Sequence, residues 1–267
     1  MNHPSHAADV VSMAAPGAAL QTRALVRRFG GLVATDHVTL EVAHGARHAL
    51  IGPNGAGKTT LVNLLTGVLA PSGGAVLLHG EDITRLPAHR RVARGLVRTF
   101  QINQLFTSMT PAKSLALTVS QRLGRSRRAW RPLGVDDEVA ARVADLLARF
   151  RLEDVMGRPV SELPYGKRRL LEIAMAVACE PRVLLLDEPV AGVPQAERRE
   201  ILDTIAALPK DVAVLLIEHD MDVVFGFATR ISVLVSGALF ADGTPAEIGA
   251  DPRVKAVYLG TRGPAHG

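Results

Sequence analysis

Gly52-Pro53-Asn54-Gly55-Ala56-Gly57-Lys58-Thr59 follows the apolar run Ala49-Leu50-Ile51 and precedes the helix-favouring stretch Thr60 to Leu65. In a glycine-rich loop of this spacing the backbone N–H groups converge on one point. They meet at a helix N-terminus carrying partial positive charge, which suits phosphate oxygens. Lys58 adds a point charge, Thr59 supplies a hydroxyl for Mg²⁺, and Thr60 continues the cradle. A glycine turn that matched by chance would lack the strand before it and the helix after it.

Val183-Leu184-Leu185-Leu186-Asp187-Glu188 is an apolar run ending in two acids, the pattern of a buried parallel strand that delivers carboxylates at its C-terminal end. Asp187 is placed to hold Mg²⁺, directly or through its waters, while Glu188 orients the water that attacks a γ-phosphate. Gln101 closes the expected strand Leu96-Val97-Arg98-Thr99-Phe100. A carboxamide there reaches metal-bound water and whatever docks on the following loop; taken alone it is an ordinary surface amide. His219 follows Val214-Leu215-Leu216-Ile217-Glu218, another strand end, where an imidazole donates to a γ-phosphate oxygen. With nine histidines in the chain, a satisfied surface histidine is the bland alternative.

Leu163-Pro164-Tyr165-Gly166-Lys167 precedes a helical pattern from Arg168 to Cys179, with Leu170, Leu171, Ile173, Ala174, Val177 and Ala178 at helical spacing. Gly166 at the helix start is expected to leave N–H groups free for an anion. Phosphate loop, Gln101, this segment, the acid-ended strand and His219 occur in the order of the ABC-transporter ATPases, which the chain resembles from about Arg23 to Gly260. The resemblance implies an α/β P-loop NTPase fold with an antiparallel β subdomain and a helical subdomain. It also implies two head-to-tail cassettes, with ATP and Mg²⁺ between one chain's loop and the other's Tyr165-Gly166 segment. It places Phe29 where an aromatic stacks on adenine, with simple strand packing equally open. The family's signature usually reads Leu-Ser-Gly-Gly-Gln. Pro164 here has neither hydroxyl nor N–H, and Lys167 substitutes a full positive charge. Ala191-Gly192-Val193-Pro194 likewise lacks the Asn or Asp usual before the next helix.

Tyr165, the stretch Asp82 to Arg90, Gly95 to Gln101, Ile217 to Met221 and the tail Asp251 to Gly260 resemble the LivG-type ATPases of branched-chain amino acid importers. That resemblance implies an ATP-hydrolysing subunit peripheral to the cytoplasmic face of the inner membrane. Its partners would be two transmembrane permease subunits, a second LivF-like ATPase and, indirectly, an extracytoplasmic solute-binding protein. The alternative within the class is the lipopolysaccharide-exporter ATPase, which shares the closing Tyr-Leu-Gly. A nucleic-acid-acting ABC ATPase is a third reading, disfavoured because no long heptad run and no zinc-binding cysteine set is visible. A catalytically weak subunit is the reading that Pro164 and Pro194 motivate.

The elements that must position these residues follow from pattern. At 267 residues and 48% hydrophobic content, one large core and one cassette are expected. Residues 1–20 read as a disordered extension, 21–260 as the ATPase domain and 261–267 as a flexible tail. Apolar runs at Ala24 to Phe29, Val38 to Val42, His48 to Ile51 and Ala75 to Leu78 suggest an antiparallel β region. Parallel strands then start at Leu96, Val183 and Val212. Residues 102–162 read as the helical subdomain, with Val139, Val143, Leu146, Leu147 and Phe150 on one face. No apolar run reaches the 18 residues of a membrane span. The lone Cys179 sits in an apolar helix pattern and reads as packing. A net charge of +5 and the cluster Arg122, Arg125, Arg127, Arg128, Trp130 and Arg131 raise anionic lipid and nucleic acid as partners. With 4% aromatics and no stacking platform beyond Trp130, nucleic acid is set aside in favour of a solvated loop.

Overall fold

The computed structural model describes residues 17–99, 105–125 and 136–259. In chain order, β1 (Ala18–Phe29), β2 (Leu32–Val38) and β3 (Glu41–Ala43) come first, and β4 (Arg47–Ile51) leads into α1 (Lys58–Thr66). Then follow β5 (Gly73–Leu78), β6 (Glu81–Asp82), α2 (Ala88–Ala93) and β7 (Leu96–Arg98). The helices α3 (Pro111–Arg122), α4 (Asp137–Arg149) and α5 (Tyr165–Ala178) precede β8 (Val183–Asp187), α6 (Gln195–Ala206) and β9 (Ala213–Ile217). The chain closes with α7 (Met221–Phe227), β10 (Arg230–Val235), β11 (Ala238–Gly243), α8 (Pro245–Ala250) and α9 (Pro252–Leu259).

Two sheets organise these elements. One is antiparallel, in the order β2-β1-β5-β6 with β3 also on β1. The other runs β11-β10-β4-β9-β8-β7, parallel from β10 to β7. The fold is therefore the expected α/β one, with an antiparallel sheet and a helical layer. Two details differ from expectation. Ala18 to Leu20, assigned to the extension, open β1, and Ala19 and Leu20 are fully buried. His48 to Ile51, assigned to the antiparallel region, are instead the centre of the parallel sheet. All four are buried, and a strand covered on both faces shows no alternation that would mark its sheet.

The helices rest on local chemistry. Asp136 caps α4, its Oδ1 accepting from Val139 N, and Val139, Val143, Leu146 and Leu147 turn inward as the spacing predicts. They join Leu115, Leu170, Leu171 and Ile173 in a core shared with Leu184 and Leu186 on one face of the parallel sheet. Leu61, Leu64 and Leu65 of α1 pack on the opposite face with Leu185 and Leu215. Behind α1, the buried Arg91 donates to the carbonyls of Leu64, Leu65, Leu86 and Thr84. It thereby satisfies helix-end acceptors that would otherwise be buried unpaired. Arg122 and Arg125 are spent on ion pairs with Glu180 and with Asp136 and Glu138. Arg127, Arg128, Trp130 and Arg131 lie outside the described residues.

A polar chain crosses the parallel sheet beside α1's strand. His48 on β4, fully buried, hydrogen-bonds Ser232 Oγ at 2.8 Å, and Ser232 donates to Asp242 Oδ1 at 2.9 Å. Burial holds the imidazole's pKa down to about 4, against the pull of Asp242. The unfolded chain thus takes up a proton near pH 6.5 that the folded chain refuses, so stability is lost as pH falls from 6.5 towards 4. The loss from this group is at most about 3 kcal/mol. Comparing chemical denaturation of wild type and His48→Gln at pH 7.5 and pH 5 should show the variant lacking this part of the acid destabilisation.

Candidate active site

The loop Gly52 to Thr59 turns the chain from the C-terminal end of β4 into α1. That reversal needs backbone conformations that side chains resist. Gly57, the residue before α1, has φ of 95°, and a Cβ on it would stand 2.4 Å from the Ala34 carbonyl oxygen. Gly52 is equally tight: a Cβ there would meet Leu234 O at 2.2 Å. α1 starts with no side-chain cap and no acid in its first turn, so its N-terminal positive end is left for an external anion. The cleft above it has a volume of about 540 Å³ and is lined by Asn54 to Thr60, Leu32 to Ala34, Glu188, Ser236 and Gly237.

Lys58 folds back, donating to Gly52 O at 2.5 Å and Pro53 O at 3.0 Å. Desolvation lowers its pKa, opposed by Glu188 and Asp187. These carbonyls hold the ammonium at the cleft floor, where a phosphate is the natural replacement acceptor. Glu188 and His219, from neighbouring strand ends, come together with Nδ1 3.4 Å from Oε1. Both are well exposed. Beneath them Glu218 is buried, its carboxyl pushed up by burial and eased by donation from His219 N and Asp220 N. Asp187 is bound by Arg98 at 2.5 Å, and Arg98 also donates to Asn63 Oδ1 on α1 at 2.8 Å. Sequence reasoning missed Arg98, although it sits in the strand that leads to Gln101.

The exposed Thr59 hydroxyl and the Asp187 carboxylate are hard oxygen donors of the kind Mg²⁺ takes. Among the described residues no cluster of three or more His, Cys, Asp or Glu forms a protein cage for a metal. A hard cation held by one or two protein oxygens plus phosphates fits that donor set. Gln101 lies outside the described residues.

The expected second half of the site is arranged differently. Gly166 does not leave its N–H free: Glu197 Oε2, from α6, accepts it at 3.0 Å. A Cβ at Gly166 would collide with that carboxylate, so the glycine makes room for Glu197. Lys167 does not offer its charge to an anion either, because Nζ donates to Arg151 O and to Asp154 Oδ1 at 3.3 Å. Tyr165 Oη donates to Ala191 O at 3.1 Å, tying the start of α5 to the segment after Glu188. Pro164 and Pro194 are the N-cap residues of α5 and α6, and neither helix has a side-chain cap. Phe29 is outside the cleft lining, with the Arg27 guanidinium 4.5 Å over its ring. Leu32, Val33 and Ala34 present the apolar wall instead.

Ser236 and Gly237 were also missed, with β10 and β11. Their signal is an apolar run, a two-residue Ser-Gly connection and a second run. Both residues have positive φ, as a type I′ hairpin requires. Gly237 N donates to Ala56 O at 2.9 Å, which pins the hairpin to the phosphate loop.

Comparison with known proteins matches the ABC transporter family over residues 35–191 and a branched-chain amino acid ATP-binding cassette transporter family over residues 238–263. The chain is 40% identical over 254 residues to the high-affinity branched-chain amino acid transport ATP-binding protein BraF of Pseudomonas aeruginosa. LivG of Escherichia coli K12, which carries the same description, matches at the same identity; each alignment covers 90% of this chain and 97% of the relative. A solved ATP-binding cassette of an ABC transporter, in its ADP conformation, superposes with a TM-score of 0.81. It is 30% identical, and the alignment covers 91% of this chain and 99% of that one.

Gly57→Ala is expected to weaken ATP binding at least about tenfold, because strain and the Ala34 clash move the loop. Gly80→Ala, with φ of 82° and open space around it, pays only the backbone cost and should leave affinity unchanged. Calorimetric titration of both variants with ATP checks the pair.

Proposed function

Because this chain belongs to the ABC transporter ATPase family, we propose that it is the ATP-hydrolysing subunit of an importer for branched-chain amino acids or related amino acids and amides. The observation that carries the chemistry is the convergence of Lys58, Asp187, Glu188 and His219 at one edge of the parallel sheet. The cargo class is supported by the likeness to BraF and LivG and by the match over residues 238–263.

In this reading the triphosphate lies over Gly52 to Thr60, with α1's N–H groups and Lys58 turned to the β- and γ-phosphates. Thr59 and Asp187 would hold Mg²⁺, with Gln101 as a further contact, and the cation would supply positive charge to offset that developing on the phosphate oxygens. Glu188 orients a water for in-line attack, and His219 donates to a γ-phosphate oxygen. To hold the cation, Asp187 would have to be released by Arg98, its present partner. The Leu32–Ala34 wall receives the base, with Phe29 beside it.

A second cassette completes the site by bringing its Tyr165-Gly166 segment over the γ-phosphate. Glu197 must then yield the Gly166 N–H, so closure exchanges an internal carboxylate for a phosphate oxygen. Among the described residues no helix is long and apolar enough to cross a membrane, and the proposed reading places the transport path in two permease subunits. The chain then works at the cytoplasmic face, paired with a LivF-like ATPase, and its single ATPase domain starts with β1 at Ala18.

In the assembled transporter, Glu188→Gln should lower ATP turnover by about 10³-fold, within the range for a lost general base, while ATP affinity is kept. Undiminished phosphate release would remove Glu188 from the role. Co-purification of the tagged chain from native membranes should bring two permeases and a second ATPase; recovery without any permease would contradict the importer reading.

A further inference from the structure

Glu188 has φ of 46°, a left-handed conformation that costs a side-chain-bearing residue free energy and persists only where surrounding structure enforces it. Part of that enforcement is ordinary backbone bonding: Glu188 N donates to Ile217 O at 2.9 Å, and Ala191 N to Glu188 O at 3.1 Å. The rest comes from another layer of the fold. Arg169, on α5 and 5% exposed, sends Nε to Pro189 O at 2.8 Å and Nη2 to the carbonyls of both Asp187 (3.2 Å) and Glu188. Its remaining arm, Nη1, donates to Glu172 Oε2 at 2.6 Å, one turn along the same helix.

A guanidinium is a rigid planar fork, so three carbonyls and a carboxylate around it fix one another's directions. Burying such a pair is costly, and hydrophobic residues of like volume would often serve stability as well. Glu172 is buried, burial pushes its pKa up to about 7, and its second oxygen, Oε1, makes no hydrogen bond. Glu172 also lines an apolar groove with Val92, Val97, Leu105, Met175 and Cys179, so the pair runs from that groove to the turn after β8.

We propose that Arg169, braced by Glu172, is a positioning residue: its fork grips the turn Asp187-Glu188-Pro189 and holds Glu188 in the left-handed conformation that turns its carboxylate to His219. The clamp comes from the helical layer, so a shift of α5 against the parallel sheet moves the base without touching the phosphate loop. The proposal rests on the role given to Glu188 above.

The test uses the assembled transporter and the variants Arg169→Lys, Arg169→Met/Glu172→Gln and Glu188→Gln. Arg169→Lys keeps the charge and loses the fork. The double variant removes both ions, so no carboxylate is left buried without its cation. Expected are a fall in kcat of about 100-fold in the double variant, the scale of a small misplacement at the reacting centre, and an intermediate fall in Arg169→Lys. KM should stay within about threefold, because the phosphate loop is untouched. Hydrogen exchange at the Ala191 amide should quicken in both variants and stay unchanged in Glu188→Gln. Wild-type kcat in the two Arg169 variants, or a kcat fall matched by an equal rise in KM, overturns the clamp. Full turnover in Glu188→Gln overturns the reading beneath it instead.

Discussion

The register of three adjacent strands is the constraint on which the site depends. β4 pairs with β9, and β9 with β8, all parallel, so that Leu50 and Asp187 both stand beside Ile217. The loops that leave these strand ends therefore start at one level of one edge, which is where open α/β sheets place their ligands. The phosphate loop comes from β4, His219 from β9 and Glu188 from β8. A one-residue slip of β8 would turn every side chain of that strand to the opposite face and part Glu188 from His219. Leu184 and Leu186 lie in one core and Leu185 in the other, so such a slip would also exchange the side chains that each core receives.

The parts most legible in the sequence are those in which local chemistry and position coincide. In a glycine-rich loop between an apolar run and a helix the two agree, and the structure builds it as a strand, a turn of positive-φ glycines and α1. The helix over 137–149 was legible because Val139, Val143, Leu146 and Leu147 recur at helical spacing, and the Asp136 cap became visible only in the structure. The sheet to which His48–Ile51 belongs was not, since a fully buried strand carries no alternation and pairing is decided by distant residues. The Ser236-Gly237 hairpin carried a readable signal that was passed over. Gln101 falls outside the described residues, so its placement stays an expectation.

The segment around Gly166 shows where reading residues singly goes astray. A glycine amide at a helix start and a neighbouring lysine suggest an anion site. Their partners, Glu197 and Asp154, come from α6 and from the turn before α5. Both donors are thus satisfied within the chain, at helix starts where Pro164 and Pro194 provide no hydroxyl cap. Nothing in the spacing of Leu163 to Lys167 announces a carboxylate arriving from residue 197. The same holds for Arg169, which looks like one more basic residue on a helix and proves to be buried against the turn carrying Glu188.

The central claim is that one edge of the parallel sheet binds ATP through the loop that ends in Lys58. Thermal unfolding of the full chain with and without saturating Mg²⁺ and ATP, in wild type and in Lys58→Ala, tests it most directly. A ligand at about 100 times its dissociation constant stabilises the folded state by about 2.7 kcal/mol. The wild-type midpoint should therefore rise by several degrees and that of Lys58→Ala should barely move. An equal rise in both proteins, or none in either, would contradict the account.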